Sequence, residues 1–549
     1  MSQSISSREE ALQKALHEHW DVIIIGGGAT GCGTALDSAS RGLKTLLVEK
    51  GDFASGTSGR STKLIHGGLR YLKNLEVGLV REVGKERAIL QRNARHLVYR
   101  DPMFLPVYDG GELGRTSTAI ALWVYEWLAG VDAAERRKML SKEETLSHIP
   151  LLQKEGLQGS AKYFEYRTDD ARLTLSLALS AQQQGATVLN YTAVENFTYD
   201  DSAQHITGIV LKDQIKGQVY TIKAKCIVNA AGPWVDHIHA LDKTTKAETK
   251  LKGSRGIHIV LSSFDFPLKQ AVYFDAIDGR MVFAIPREEK VYVGTTDVFY
   301  EGSLDNPVVP KKEMDYLIAC VKAKFDLKSL STEHIESAWS GVRPLVLEKG
   351  KAEGKISRKD ELFIAKSGLL TIAGGKLTGY RKMAERATDK ICKVLGKTSS
   401  ACKTEKLPLS GGEFLSDEVF EKFVSTKTIE LMTLLNVMSY EAELLVRRYG
   451  KQVDALIALI PQSAYYAQKY QLAKPIAIQV LYAVEKEMAL NAKDVYIRRT
   501  SDFYFRIEQL KKSYKPMIAM MADCLSFDST WIKEQEEEFE TKVSELKGR

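Results

Sequence analysis

The sequence lacks any run of the roughly 18 apolar residues that a membrane-crossing helix needs. Its nearest stretch, Thr118 to Val131, is interrupted by Glu126 and too short. Any membrane contact is therefore expected to be peripheral. Cysteine is sparse, with only Cys32, Cys226, Cys320, Cys392, Cys402 and Cys524 and no close pair among them. That spacing excludes a zinc cluster or disulfide framework and suits a reducing compartment, so no metal is expected. Met1 to Glu18 has no apolar core, which excludes an ordinary signal or transit peptide and predicts a cytoplasmic location. One-sided charge is also missing: 77 basic against 70 acidic residues leave +7, with no basic stripe of the kind nucleic acid requires. The mild excess is compatible with an anionic substrate or a negative lipid surface.

What is present is length and pattern. At 549 residues the chain exceeds the roughly 250 to 300 at which single cores stop growing, so two or three folding units are expected. After a short amphipathic lead-in (1–20), Asp21 to Ile25 reads as a buried parallel strand, Ala29 to Arg41 as a helix, and Lys44 to Glu49 as a second strand. Helical spacing recurs over Val77 to Arg95, Ser117 to Leu128 and Asp169 to Gln184. Alternating runs between Val188 and Ile227, and again from Gly253 to Thr296, predict antiparallel strands. Beyond the Pro408 to Glu413 linker everything reads as helix, with Ser416 to Ser425, Tyr440 to Arg448, Ile476 to Leu490 and Ser529 to Leu546 as the clearest segments. The last of these is expected to be a solvated terminal helix.

Gly26, Gly27, Gly28, Ala29, Thr30 and Gly31 satisfy GxGxxG directly between a strand and a helix, with Glu49 ending the next strand. In that context the glycines permit a tight turn, close approach to a pyrophosphate and close helix packing, while the acid faces ribose hydroxyls. The phosphates belong at the helix N-terminus, where free N–H groups favour negative charge. Glu49 argues against NADP but leaves FAD and NAD open. A second glycine approach in NAAGPW, Asn229 to Trp234, favours FAD.

Five motifs in order then carry a resemblance. GDFASGTSGRSTKLIHGGLRY (Gly51 to Tyr71), NAAGPW, GTTD (Gly294 to Asp297), SGVRPL (Ser340 to Leu345) and GGKLT (Gly374 to Thr378) are similar to those of the FAD-dependent, aerobic-type glycerol-3-phosphate dehydrogenases. The match runs from about Asp21 to Glu385, and more weakly into the helical C-terminus. The resemblance implies an α/β fold: a Rossmann-like FAD domain with an interleaved antiparallel β substrate domain, as in D-amino-acid oxidase, and an all-helical C-terminal cap. The expected division is 21–407, with substrate parts near 95–165 and 250–345, followed by 408–549.

The family's chemistry implies oxidation of sn-glycerol 3-phosphate to dihydroxyacetone phosphate by hydride transfer to flavin N5. Electrons would then pass to quinone at the inner face of the cytoplasmic membrane, with a homodimer allowed. Oxidases of the family carry an extra segment between positions like Asp297 and Trp339 that this chain lacks. Rival readings are an oxygen-using oxidase, an amino- or hydroxy-acid oxidoreductase, and a flavin-binding redox sensor.

A small dianion needs fixed cations, and arginine meets phosphate bidentately. Arg70, Arg343, Arg358 and Lys376, with Tyr71, match substrate positions of the family. Hydroxyl oxidation needs a proton acceptor; His258 matches a substrate-facing histidine and His66 is the alternative. His258, Arg343 and Lys376 are thus the catalytic set. Expected FAD contacts, besides the glycines, Thr30 and Glu49, are Lys50, Thr57, Ser58, Ser61, Thr62, Lys63, His66, Gly67, Gly68, Val194, Ala231, Gly232, Trp234, Gly375, Lys376, Leu377 and Thr378. Asp297 is expected to shape a turn. In the cap, Leu444, Leu445, Ile476, Ile478 and Leu481 read as core. Arg447, Arg448, Arg498 and Arg499 read as a solvated or ion-paired face, with anionic lipid as the alternative.

Overall fold

A computed structural model describes residues 8–66, 77–110, 119, 122, 135–244, 251–347, 361–398 and 400–546. The strand Trp20–Ile25 is buried at every position and pairs in parallel on both sides, with Thr45–Val48 and with Val219–Asn229. A β-branched run of this kind has no solvent face to offer, which makes it the centre of a sheet. Outward from it the order is Thr187–Leu189 beyond Thr45–Val48 on one side, and Leu370–Ala373 then the antiparallel edge Glu361–Ile364 on the other. The helix Ala29–Ser40 follows the first strand, and its small residues let it pack closely against the helices Asp170–Gln183 and Tyr380–Val394. The antiparallel expectation after Val188 is met by Thr192–Tyr199, Ile206–Asp213 and the first half of Val219–Asn229, paired in sequence.

A second, mainly antiparallel sheet draws strands from two separated stretches. Val98–Tyr108 and Leu157–Thr168 pair with each other, and Val98–Tyr108 lies parallel to Ala271–Asp275. From there the sheet continues through Met281–Arg287, Lys290–Gly294 and Leu251–Ser262, the last of which also pairs with Ile335–Val346. After residue 408 the regular elements are helical.

Several readings need correction. The lead-in is a helix, Arg8–His17, that buries Ala11, Leu12 and Ala15 and ties Arg8 to Asp213 at 2.7 Å. The helix expected at Ser117 to Leu128 lies largely outside the described residues; only Ala119 and Leu122 are described there, both helical. Ser416 to Ser425 is the start of a longer helix, Asp417–Leu435. The terminal helix Ser529–Glu545 is not fully solvated: Phe539, 2% exposed, stacks on Tyr514 at 4.1 Å, and Gln535 accepts the Ala492 N–H. Trp531, Ile532 and Val543 on the same helix pack against the cluster that holds Phe539. Leu445, Ile478 and Leu481 are buried, as a core reading requires, with Leu444 and Ile476 half-buried. Among the described residues no helix is long and apolar enough to cross a membrane.

Candidate functional site

The C-terminal ends of the parallel strands and one face of the second sheet enclose a cavity of about 410 Å³. Open α/β sheets place ligands at that end because strand crossovers leave a crevice there. At Gly26 the backbone has φ +117°, and a Cβ would stand 2.5 Å from the Ala230 carbonyl oxygen, so the glycine is sterically required. Gly31 sits against the Gly26 carbonyl, where a Cβ would come within 1.9 Å. The N-cap of the helix Ala29–Ser40 is Gly28, which brings no side-chain cap. The Ser58 hydroxyl accepts the Ala29 N–H at 2.9 Å, and the helix end otherwise opens into the cavity. A helix N-terminus that keeps N–H groups and its dipole turned to the cavity is a ready anion site.

Glu49 accepts the Gly27 N–H on Oε2 at 2.6 Å and the Gly51 N–H on Oε1 at 2.8 Å. Burial pushes its carboxyl up, against the pull of those two donors. A carboxylate has about four acceptor positions, so this leaves capacity for ribose hydroxyls. Steric exclusion at Gly26, an open helix N-terminus and a buried acid at the next strand end together fit the adenosine and pyrophosphate of FAD.

The five motifs come together although they lie far apart in sequence. Thr57 donates to the Val342 carbonyl at 2.6 Å, Thr378 to the His66 carbonyl at 3.3 Å, and the Trp339 indole N–H to the Ser61 carbonyl at 3.1 Å. Gly26, Gly28, Thr30, Glu49, Lys50, Thr57, Ser58, Ser61, Thr62, His66, Val194, Ala231, Gly232, Trp234, His258, Arg343, Gly375, Lys376, Leu377 and Thr378 all lie on the cavity wall. The Lys50 ammonium lies 4.3 Å above the Trp234 ring and also pairs with Asp305. Gly27 and Gly31 stand just behind the wall, serving the turn.

Lys63, expected as a flavin contact, is not among the residues of the cavity wall. Its ammonium is buried and paired to Asp170 Oδ1 at 2.6 Å, because a charge this deep demands a partner. Gly67, Gly68, Arg70, Tyr71 and Arg358 lie outside the described residues.

At the far end of the cavity His258 is 1% exposed and stacks on Trp339, ring centroids 4.7 Å apart and 11° from parallel. Its Nε2 shares a hydrogen bond with the Thr62 hydroxyl at 3.0 Å, and Nδ1 has no partner among the described residues. Burial, with Arg343 and Lys63 nearby, holds its pKa well below the usual histidine value, so the ring is neutral at pH 7. Arg343 donates to Thr295 Oγ1 at 3.2 Å and approaches Asp297 Oδ1 at 3.5 Å. Asp297, read as a turn former, thus also orients an arginine.

Sequence reading missed part of this end. Arg280 lines the cavity, steadied by Asp278 at 2.7 Å and the Asp297 carbonyl at 3.2 Å. Tyr273 and Phe283 stack beside it at 4.1 Å. Trp339 backs His258 and is itself packed by Tyr504 from the helical region. None of these carries a local signature; strand pairing places Tyr273, Phe283 and Trp339, and the turn between two paired strands carries Arg280. The basic set in the helical region is also resolved: Arg498, Arg499 and Arg448 are buried, and Arg447 pairs with Glu421 and Glu443 at the surface. An anionic lipid surface has nothing to meet in the buried three.

Comparison with known proteins agrees with this geometry. Residues 21–381 match the family described as FAD dependent oxidoreductase, and residues 402–531 match the C-terminal domain of alpha-glycerophosphate oxidase. The aerobic glycerol-3-phosphate dehydrogenase of Staphylococcus aureus is 45% identical over 550 residues, covering 99% of this chain and 98% of the relative. The glycerol-3-phosphate dehydrogenase of Bacillus halodurans, solved with FAD, superposes with a TM-score of 0.85 at 37% identity, covering 98% of this chain and 97% of the other. The L-alpha-glycerophosphate oxidase of Mycoplasma pneumoniae, with FAD bound, shares the fold at a TM-score of 0.52 and 20% identity, over 70% of this chain and 98% of its own. By residue matches that span nearly its whole length, this chain belongs to the FAD-dependent glycerol-3-phosphate dehydrogenase family.

Proposed function

We propose that the chain oxidises sn-glycerol 3-phosphate to dihydroxyacetone phosphate, with FAD as its bound cofactor. The observation that carries this reading is one cavity whose wall holds both a glycine-lined helix N-terminus and, at its far end, the buried His258 with Arg343 nearby, Lys376 lining the same cavity. FAD, when bound, supplies the acceptor for the hydride that leaves C2. Arg343 and Lys376 hold the substrate phosphate, Arg343 in the orientation set by Thr295 and Asp297. Neutral His258 receives the C2 hydroxyl proton, so a carbonyl forms as two electrons and one proton leave carbon and a second proton leaves oxygen. Its stacking on Trp339 and its bond to Thr62 fix the ring while that happens.

The electrons then go to a quinone at a lipid surface, with the protein held peripherally on the membrane. Support for dehydrogenase over oxidase is the high identity to an aerobic dehydrogenase and the short connection from Asp297 to Trp339, which holds the α-helix Lys311–Lys324 and a short helical turn, Thr332–His334. Anaerobic mixing with sn-glycerol 3-phosphate should bleach the oxidised-flavin band near about 450 nm. Rapid bleaching supports the substrate reading, and stoichiometric peroxide in air would turn the assignment to oxidase. A yellow protein that stays yellow with this substrate removes the proposal.

A further inference from the structure

Asp52 is 1% exposed and belongs to the loop that follows the second parallel strand, between Glu49 and the hydroxyl-bearing Ser55 to Ser58. Its carboxylate is gripped from the helical C-terminal region. Arg498 Nε donates to Oδ2 at 2.6 Å, Arg499 Nη2 donates to Oδ1 at 3.0 Å, and Arg499 Nη1 makes a further bond to Oδ2. Burial opposes the charged form, but Arg499 and Arg498 outweigh it and keep the carboxyl below its usual range.

These two arginines are adjacent in sequence, and in an ordinary helix neighbours point about 100° apart. Both reach one carboxylate because Asp494–Arg499 forms a wide, π-helical turn, a geometry that recurs at functional sites. The same turn holds a second point. Asp494 accepts the Tyr191 hydroxyl at 2.6 Å and the N–H groups of Leu490 and Asn491 at 2.9 Å, and Arg498 also bonds it. Tyr191 in turn donates its N–H to the Gly51 carbonyl at 2.7 Å, and Thr192 its N–H to the Glu49 carbonyl at 2.7 Å. Glu49, Thr192 and Val194 are all on the cavity wall.

We propose that Arg498 and Arg499 are positioning residues for the cofactor: through Asp52 and Asp494 the helical C-terminal region fixes the loop and strand that receive the adenosine and pyrophosphate. This rests on the reading of that half of the cavity as the FAD site. Docking of the helical region and binding of FAD are then coupled, and the coupling is reciprocal.

The test uses the full-length protein, stripped of flavin and titrated with FAD while flavin fluorescence is followed. Arg498→Lys keeps the charge but loses the fork, and should raise the Kd for FAD about tenfold, what the loss of one hydrogen bond to a charged group costs at its lower end. At saturating FAD, its flavin reduction rate and its KM for sn-glycerol 3-phosphate should match the parent's. Asp52→Asn should weaken FAD further; should it fail to fold, Arg498→Lys decides alone. Leu445→Ala, a core deletion in the helical region away from Asp52, should lower Tm without moving the Kd for FAD. FAD should also raise the Tm of the parent more than that of Arg498→Lys at the same FAD concentration.

An Arg498→Lys protein with the parent's Kd overturns the inference, as does a Leu445→Ala protein that loses FAD equally. A parent that takes up no FAD overturns the cofactor reading itself.

Discussion

The nucleotide end of the cavity depends first on glycines and main-chain N–H groups; the far end depends on side chains. Gly26, Gly28 and the open end of the helix Ala29–Ser40 recognise by leaving room and by presenting N–H groups. His258, Arg343, Arg280, Tyr273 and Phe283 instead bring charge, a proton site and aromatic surface to the other end. The contrast separates two ways of failing. A main-chain site fails through steric exclusion and does so completely, whereas a side-chain site loses one interaction at a time and keeps the others.

The sharpest way to break that contrast is Gly26→Ala. With φ at +117° and a Cβ 2.5 Å from the Ala230 carbonyl oxygen, the substitution cannot be absorbed by a flexible neighbour. The expected product is insoluble or flavin-free, and a soluble protein with full flavin absorbance would show that the turn yields after all.

His258→Ala should be next in size, slowing flavin reduction by about 10² to 10⁴ with little change in KM. The parent's rate should also lack an inflection near pH 6.5. Because the folded-state pKa lies well below that value, the ring stays neutral from pH 8 down through 6 and gains its proton only in stronger acid. A stopped-flow pH profile with a clear step near 6.5 would assign the proton to another group.

The smallest of the three effects is Arg343→Ala. A hydrogen bond to a charged group is worth about 1.5 to 3 kcal/mol, so KM for sn-glycerol 3-phosphate should rise about 10- to 100-fold. Glycerol, which has no phosphate, should be used no worse than by the parent. Equal losses with both substrates would mean that Arg343 serves the wall and not the phosphate.

The same division decides what is legible in the sequence. The nucleotide turn is local, with strand, glycines, helix and acid all between Asp21 and Glu49, so residue order alone places it. The ion pair of Lys63 is not legible because its partner, Asp170, lies 107 residues away and nothing near Lys63 announces it. Trp339 stands behind His258 only through the pairing of Ile335–Val346 with Leu251–Ser262, and Arg280 reaches the cavity only because its bonds to Asp278 and the Asp297 carbonyl hold it there. Arg498 and Arg499 resemble a surface pair because their charge is visible in sequence while the buried Asp52 that neutralises them, over 440 positions earlier, is not. The amphipathic helix Tyr380–Val394 escapes the sequence reading as well, since its charged face masks the buried positions Met383, Ala384, Ala387 and Ile391.

The interleaving of the two sheets also fixes an order of events at the ribosome. The central strand Trp20–Ile25 meets Thr45–Val48 early, but its other neighbour, Val219–Asn229, is synthesised far later. At about 5 to 20 residues per second, the interval from Ile25 to Val219 is on the order of ten to forty seconds. For that time one edge of an apolar strand has no native partner, and Leu370–Ala373 arrives later still. The nascent chain therefore passes through a long window of exposure to chaperones and to mispairing, and flavin loading falls near the end of translation.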